Sequence, residues 1–285
     1  MRIKLGINDL PAFGRPGTAR GRRRSVMPIK ALLWDVDGVL AETERDGHRV
    51  AFNQAFEAHD LPWRWSVEHY GELLNITGGR ERLLHDMRTR GDAPPLSAER
   101  EALARAVHMA KNQIYGELVR SQGLPLRDGV RELLEECRTR GVRMGITTTT
   151  SKSNLDALLR THLGSAWATW FSALVCGEDV ASKKPDPEVY LQALRRLGVG
   201  PLDAVAIEDS PGGVAAACAA EVPVVVTRSV YFGTATINGA IAIGPSLGQR
   251  MGWRPGAAHT ASTGRITLDD LVDWRQRMEH SSQFG

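Results

Sequence analysis

"KALLWDVDGVLAETE" (residues 30–44) is the stretch on which the fold turns. An apolar run, Ala31-Leu32-Leu33-Trp34, delivers the chain to two aspartates, Asp35 and Asp37, with Gly38 directly behind them. A buried strand ordinarily avoids carboxylates, because an unpaired buried charge is costly and neutralises unless something compensates it. Two acids at the end of such a strand therefore ask for a cation.

Runs of the same kind recur at wide intervals: "VRMGITTTT" (142–150), "SALVCG" (172–177), "AVAIED" (204–209) and "VPVVVT" (222–227). Between the later ones, "SNLDALLRTHL" and "DPEVYLQALRRLGV" carry apolar residues at i, i+3 and i+4, the helical spacing. In the second, Pro187 is expected in the first turn and Gly198 near the end. Strands alternating with helices predict an α/β fold, a Rossmann-like parallel sheet covered on both faces.

One interval breaks the rhythm. From Glu44 to Gln122 only helical patterns occur, such as "GHRVAFNQAFEAH", "ERLLHDM" and "SAEREALARAVHMAKNQIYGELV". They predict an inserted all-helical cap domain, closing over the carboxyl edge of the sheet where open α/β sheets bind ligands. The expected division is a basic, disordered leader (1–28), an α/β core (29–43 and 123–285) and a helical cap (44–122). After Thr227 the Gly-rich segments "GTATINGAIAIGPSLG" and "GWRPGAAHTASTG" are weakly patterned, leave the fold of residues 228–264 open and assign no role, and "TLDDLVDWRQRM" predicts a short capped helix.

Composition sets the class. With 42% apolar and 24% charged residues in 285, the chain reads as an ordinary globular protein. No apolar run approaches the ~18 residues of a membrane span. Cys137, Cys176 and Cys218 lie far apart and fit neither a disulfide framework nor a zinc site, so a reducing, cytoplasmic setting is expected. Residues 1–30 hold eight Lys/Arg against one acid, Asp9, so this leader carries +7 and the remaining 255 residues carry −4. It lacks the apolar region of a secretory signal. A nucleic-acid-binding arm or transit peptide is the less favoured reading; a disordered extension, with translation starting at Met27, is preferred.

Four polar groups stand where strands stop. They are Asp35 and Asp37, the hydroxyls Thr147 to Thr150, Lys183-Lys184-Pro185, and Glu208-Asp209. Adjacent parallel strands would bring them to one crevice. Three carboxylates with a backbone carbonyl make a hard oxygen site suited to Mg²⁺. A carboxylate can also act as nucleophile, and a second one two residues on is placed for proton transfer at the leaving oxygen. Lysine and hydroxyl donors would stabilise charge on a transferring phosphoryl group. Singly, Lys-Pro reads as a helix-start lysine, Glu-Asp as solvated loop acids and the Thr run as β-propensity. Their order along four strand ends is what carries the argument.

"DVDGV", a strand-end Thr, Lys-Pro and "IEDS" resemble, in this order, the haloacid dehalogenase-like phosphohydrolases, over roughly residues 29–228. The helical insertion is similar to that of their small-cap members. The resemblance implies Asp35 as nucleophile, Asp37 as general acid/base, Thr148 as phosphoryl-binding hydroxyl and Lys184 as the neutralising cation. It implies Mg²⁺ on Asp35, the Asp37 carbonyl and Asp209, with Glu208 supporting.

Substrate choice in that superfamily is set largely by the cap. "TGGRER" puts Arg80, Glu81 and Arg82 at a helix start, where backbone N–H groups favour anions and Arg adds bidentate phosphate recognition. The competing reading is a solvated helix end with local Glu–Arg pairing. "ETE", "LPWRW", "TGGRER" and the Thr run resemble the CbbY-like phosphatases of Calvin-cycle operons, whose members convert xylulose 1,5-bisphosphate to xylulose 5-phosphate. That resemblance implies substrate contacts from Glu44, Arg80, Glu81 and Arg82, and from Thr148, Thr149, Thr150 and Lys184. A histidine commonly follows the first aspartate by twelve residues in such relatives. Here His48 is thirteenth, and a one-residue bulge is needed to bring it in. Trp63 and Trp65 are expected in the cap core rather than as a sugar platform.

The expected protein is thus a Mg²⁺-dependent phosphatase of a small sugar phosphate, monomeric, with no membrane partner. The rivals are a β-phosphoglucomutase, which passes the phosphoryl group to a second hydroxyl, and a phosphoglycolate phosphatase. A non-enzymatic nucleic-acid binder acting through the leader is disfavoured by the intact acids.

Overall fold

The computed structural model describes residues 29–257 and 264–281. The leader lies outside them, and with it the expectations of disorder over 1–28 and of a start at Met27. Six strands, β1 (Ala31–Trp34), β2 (Arg143–Thr147), β3 (Ala173–Val175), β4 (Ala204–Glu208), β5 (Val224–Thr227) and β6 (Ala242–Gly244), form one sheet. Its order is β3-β2-β1-β4-β5-β6, with every pair parallel.

β1 is central, and its four apolar residues serve both faces. Leu32 and Trp34 enter the core on one side, Ala31 and Leu33 on the other, as a period of two requires. The chain moves outward from β1 through β2 to β3, then returns to the other flank with β4. The reversal opens a crevice at the carboxyl ends of β1 and β4.

Four of the helices between β1 and β2 fall in the inserted interval: α1 (Arg49–Ala58), α2 (Val67–Leu73), α3 (Gly79–Thr89) and α4 (Ser97–Gln122). They enclose a core of their own, with Phe52, Phe56, Trp63, Trp65 and Tyr70 buried together. Trp63 and Trp65 are cap core, and the Trp65 indole N–H donates to buried Asp86 at 2.9 Å. The remaining helices are α5 (Val130–Thr139), α6 (Lys152–Leu163), α7 (Glu188–Leu197), α8 (Pro211–Ala219) and α9 (Leu268–Ser281). α5, α6 and α9 cover the Leu32/Trp34 face, while α7 and α8 cover the other. Helix ends follow the sequence: Ser151 accepts from Asn154 N at α6, and Gly198 ends α7 at φ +62°. Pro187 is the N-cap of α7, one position ahead of its expected place.

The tail after Thr227 takes a form that its sequence pattern leaves open. It contains β6, a three-residue edge strand whose register is set by pairing with β5. So short an element has no periodicity of its own to read. Among the described residues no helix is long and apolar enough to cross a membrane.

Candidate active site

Asp35 follows the last residue of β1 and is held by Asp35 N donating to Ile207 O of β4 at 3.1 Å. Lys184 answers its charge. The Lys184 ammonium donates to Asp35 Oδ1 at 2.7 Å, Thr147 O at 2.9 Å and Glu208 Oε1 at 2.5 Å. Tyr190 on α7 donates to the same Glu208 oxygen at 2.5 Å. Lys184 is the inward member of the lysine pair; Lys183 instead reaches Glu81 across the cap–core seam at 2.7 Å.

The charges do not cancel. Burial pushes Asp35 well above the usual carboxylate range, against the pull of Lys184 and with the repulsion of Glu208 and Asp37. Asp209 is raised likewise by burial, then by Asp35 and Glu208. Burial alone would lower Lys184, but Asp35 and Glu208 hold it well above the ordinary lysine value. One ammonium thus faces three carboxylates. Asp35, Glu208 and Asp209 offer oxygens that all lie within 4.8 Å of one another. Hard oxygens in this number, with negative charge left over, fit Mg²⁺.

Two glycines make room for this packing. Gly38 has φ +80°, and a Cβ there would lie 2.1 Å from Asp209 Oδ2. At Gly213, in the first turn of α8, a Cβ would lie 1.9 Å from Glu208 Oε2. Gly213→Ala must therefore push Glu208 off Lys184 and Tyr190. It is expected to cost about 1–3 kcal/mol by overpacking and to depress turnover far more than its melting temperature, as thermal unfolding and phosphate-release assays check.

Asp37 is tied to the cap. Thr43 Oγ1 donates to Asp37 Oδ1, and His48 Nε2 lies 3.0 Å from the same oxygen. Lys111 on α4 approaches His48 Nδ1 at 2.9 Å. An ammonium is a donor only, so Nδ1 accepts and the imidazole proton sits on Nε2, directed at Asp37. Burial pushes Asp37 up, but its contact with His48, the Thr43 hydroxyl and Lys111 outweigh it and leave the carboxyl below its ordinary value. His48 reaches this place because residues Glu44–His48 form a π-helical turn, which absorbs one extra residue before α1.

The crevice has two adjoining chambers that share Asp37, Glu44, Gly78, Arg82 and Thr149. The inner one contains Asp35, Lys184 and Asp209; the outer one adds His48, Lys111, Thr150, Asn154 and Lys183. Arg82 is 6% exposed and is anchored by Nη1 to Tyr70 Oη at 2.9 Å and Nε to Leu73 O at 3.1 Å. Tyr70 in turn donates to Glu44 Oε2.

Three expected substrate contacts stand apart from the chamber walls. Arg80 lines neither chamber; its side chain is 43% exposed and lies 3.9 Å from Glu81. Helical geometry turns residues 80 and 82 to different faces, and the cap core takes the second. Glu81 also lines neither chamber and is committed to Lys183. Thr148 is 1% exposed, with its hydroxyl accepting from Thr150 N at 3.1 Å, and Thr149 is the threonine that lines both chambers. The last residues of the Thr run leave the strand, so neighbours no longer alternate cleanly. Thr43, Lys111, Tyr190 and Asn154 were not legible as site residues, because each lies inside an ordinary helical or turn pattern.

Residues 29–221 match the family model for haloacid dehalogenase-like hydrolases. Protein CbbY of Cupriavidus necator is 42% identical over 235 residues, 81% of this chain and 92% of that protein. A CBBY-like protein of Arabidopsis thaliana is 38% identical over 260 residues, 86% of this chain and 81% of that one. CbbY from Rhodobacter sphaeroides, crystallised as a mutant in complex with xylulose-(1,5)bisphosphate, has a TM-score of 0.73 at 38% identity and covers 78% of this chain and 96% of that chain.

Proposed function

The chain belongs to the haloacid dehalogenase-like hydrolases, among their CbbY-like members, and from that premise we propose a Mg²⁺-dependent phosphatase converting xylulose 1,5-bisphosphate to xylulose 5-phosphate. In this reading 29–43 and 123–285 act as core and 44–122 as cap. The observation that carries the reading is the meeting of Asp35, Lys184 and Asp209 in a chamber that opens directly onto one lined by the cap cations Arg82 and Lys111. The inner chamber suits a scissile phosphate, the outer a second anion at the far end of the same molecule.

Asp35 is the proposed nucleophile. Its oxygen attacks phosphorus, the bond to the sugar oxygen breaks, and an aspartyl-phosphate forms. Asp37 is the proposed acid/base. The phosphate's negative charge beside it favours its neutral form, which gives a proton to the departing oxygen, and it later takes one from the water that hydrolyses the intermediate. The contact of His48 with Asp37 supports this shuttle, because it fixes the carboxyl on one side of the cleft. Lys184 and the Thr149 hydroxyl hold charge on the phosphoryl oxygens. Asp35, the Asp37 carbonyl and Asp209 would hold Mg²⁺, which supplies electrostatic stabilisation of the transferring phosphoryl group. Glu208, bound to Lys184 and Tyr190, supports the site by orienting Lys184.

Phosphate release from xylulose 1,5-bisphosphate, ribulose 1,5-bisphosphate, phosphoglycolate and glucose 1-phosphate, each with Mg²⁺ and with EDTA, tests the reading. Metal-dependent preference for the first supports it, and turnover of phosphoglycolate instead overturns the substrate assignment. A pH dependence follows as well. Burial lowers the Lys111 ammonium to about 8, against Glu44 and Asp37, which raise it. It is protonated below that value and loses its charge above it. KM for a bisphosphate should therefore rise up to about tenfold between pH 7 and 9, and Lys111→Met should raise it already at pH 7 and flatten the profile.

A further inference from the structure

The connection from β5 to β6 spans 228–241 and contains no helix. Parallel strands are usually joined through a helix laid on one sheet face. Here the first half of the connection crosses the carboxyl edge instead, in a segment whose sequence pattern assigns it no role.

The turn is firmly held. Arg228 Nη1 donates to the carbonyls of Phe232 and Ala235, each at 3.0 Å. Ser229 is 6% exposed, and its side chain lies beside Asp209 and favours that carboxylate. Val230 N donates to Glu42 Oε2 at 3.4 Å. The Tyr231 ring stands 5.9 Å from that of Tyr70 on the cap, and a Cβ on Gly71 would come within 3.0 Å of it. Ile237 then returns the chain to the sheet core. Between these anchors Phe232 lines the inner chamber.

Apart from Phe232 on the core and Leu74 on the cap, that chamber is lined by charged, hydroxyl-bearing and glycine residues. An aromatic wall there forms no hydrogen bond with a phosphate. It acts by shape and by excluding water, and the anchored turn prevents it from yielding. We propose that Phe232 is a specificity-determining residue: it restricts the space beside the transferring phosphoryl group to a slender alkyl ester, such as the terminal CH₂–O of a sugar phosphate, and rejects bulky aryl esters. The proposal rests on the phosphatase reading above and adds the identity of the wall that selects the leaving group.

The test compares kcat/KM for p-nitrophenyl phosphate with that for xylulose 1,5-bisphosphate in the full chain with Mg²⁺, as wild type, Phe232→Ala, Phe232→Leu and Phe232→Trp. The aryl-to-sugar ratio should rise by about 10- to 200-fold in Phe232→Ala, rise less in Phe232→Leu and fall in Phe232→Trp. An equal loss on both substrates means that Phe232 only supports the fold, and an unmoved ratio means that it does not reach the leaving group. Either overturns the proposal. Should Phe232→Ala fail to fold, the opposite signs expected of Leu and Trp still decide. Wild-type protein that turns over another sugar phosphate but not the bisphosphate contradicts the substrate reading instead, and the ratio is then taken against that sugar phosphate.

Discussion

Asp35→Asn is expected to lower phosphate release by about 10⁴-fold or more, because the group that forms the covalent intermediate is gone rather than displaced. The effect belongs to kcat and not to folding. Asp35 stands among more negative charge than Lys184 neutralises, and burial raises its pKa. A neutral isostere at that place removes repulsion from Glu208 and Asp37, so the melting temperature in EDTA should not fall. The measurements are steady-state turnover and acid-quenched trapping of phosphoenzyme, which wild type should form and the variant should not. Retention of more than about 1% of the wild-type rate would show that another group attacks phosphorus, since removal of a nucleophile leaves far less than that.

Lys184→Met is expected to fail in both respects. Its ammonium is 5% exposed and binds two carboxylates at 2.7 and 2.5 Å. Removing one side of a buried ion pair leaves the other uncompensated, at a cost of about 3–5 kcal/mol. Methionine keeps the volume, so the loss is one of charge. Two consequences separate this from general damage. Mg²⁺ should raise the melting temperature of the variant more than that of wild type, because the cation then supplies neutralisation that the lysine no longer does. Adding Glu208→Gln should recover part of the stability without restoring turnover. A variant that melts with wild type in EDTA would mean that Lys184 does not balance this cluster.

Much of the site was legible because its groups stand at strand ends. A buried parallel strand must be apolar, so the first polar residues after it are conspicuous, and Asp35, Asp37, Glu208 and Asp209 were found in this way. The helical insertion was legible for a related reason: the interval 44–122 lacks any run that could enter a sheet. Residues of the cap were harder. Arg80 and Arg82 are two apart at the start of one helix, and the pattern "TGGRER" does not say which face the core will claim. Thr148 and Thr149 differ by one position at a point where the chain leaves the strand, and a single step moves the hydroxyl from one environment to another. His48 required a π-helical turn, which follows from how α1 meets the crevice and not from the residue count.

The sequence by itself determined five of the six strands, their parallel sense, the inserted helices and the carboxylates at the sheet's edge. All of these follow from local periodicity and from the cost of burying charge, both of which are written along the chain. Only the tertiary structure decided which lysine turns inward, that Lys111 from α4 backs His48, that Gly213 gives way to Glu208, and that the turn after β5 brings Phe232 into the chamber. These depend on packing between segments distant in sequence, and no local pattern encodes the direction in which one of them faces another.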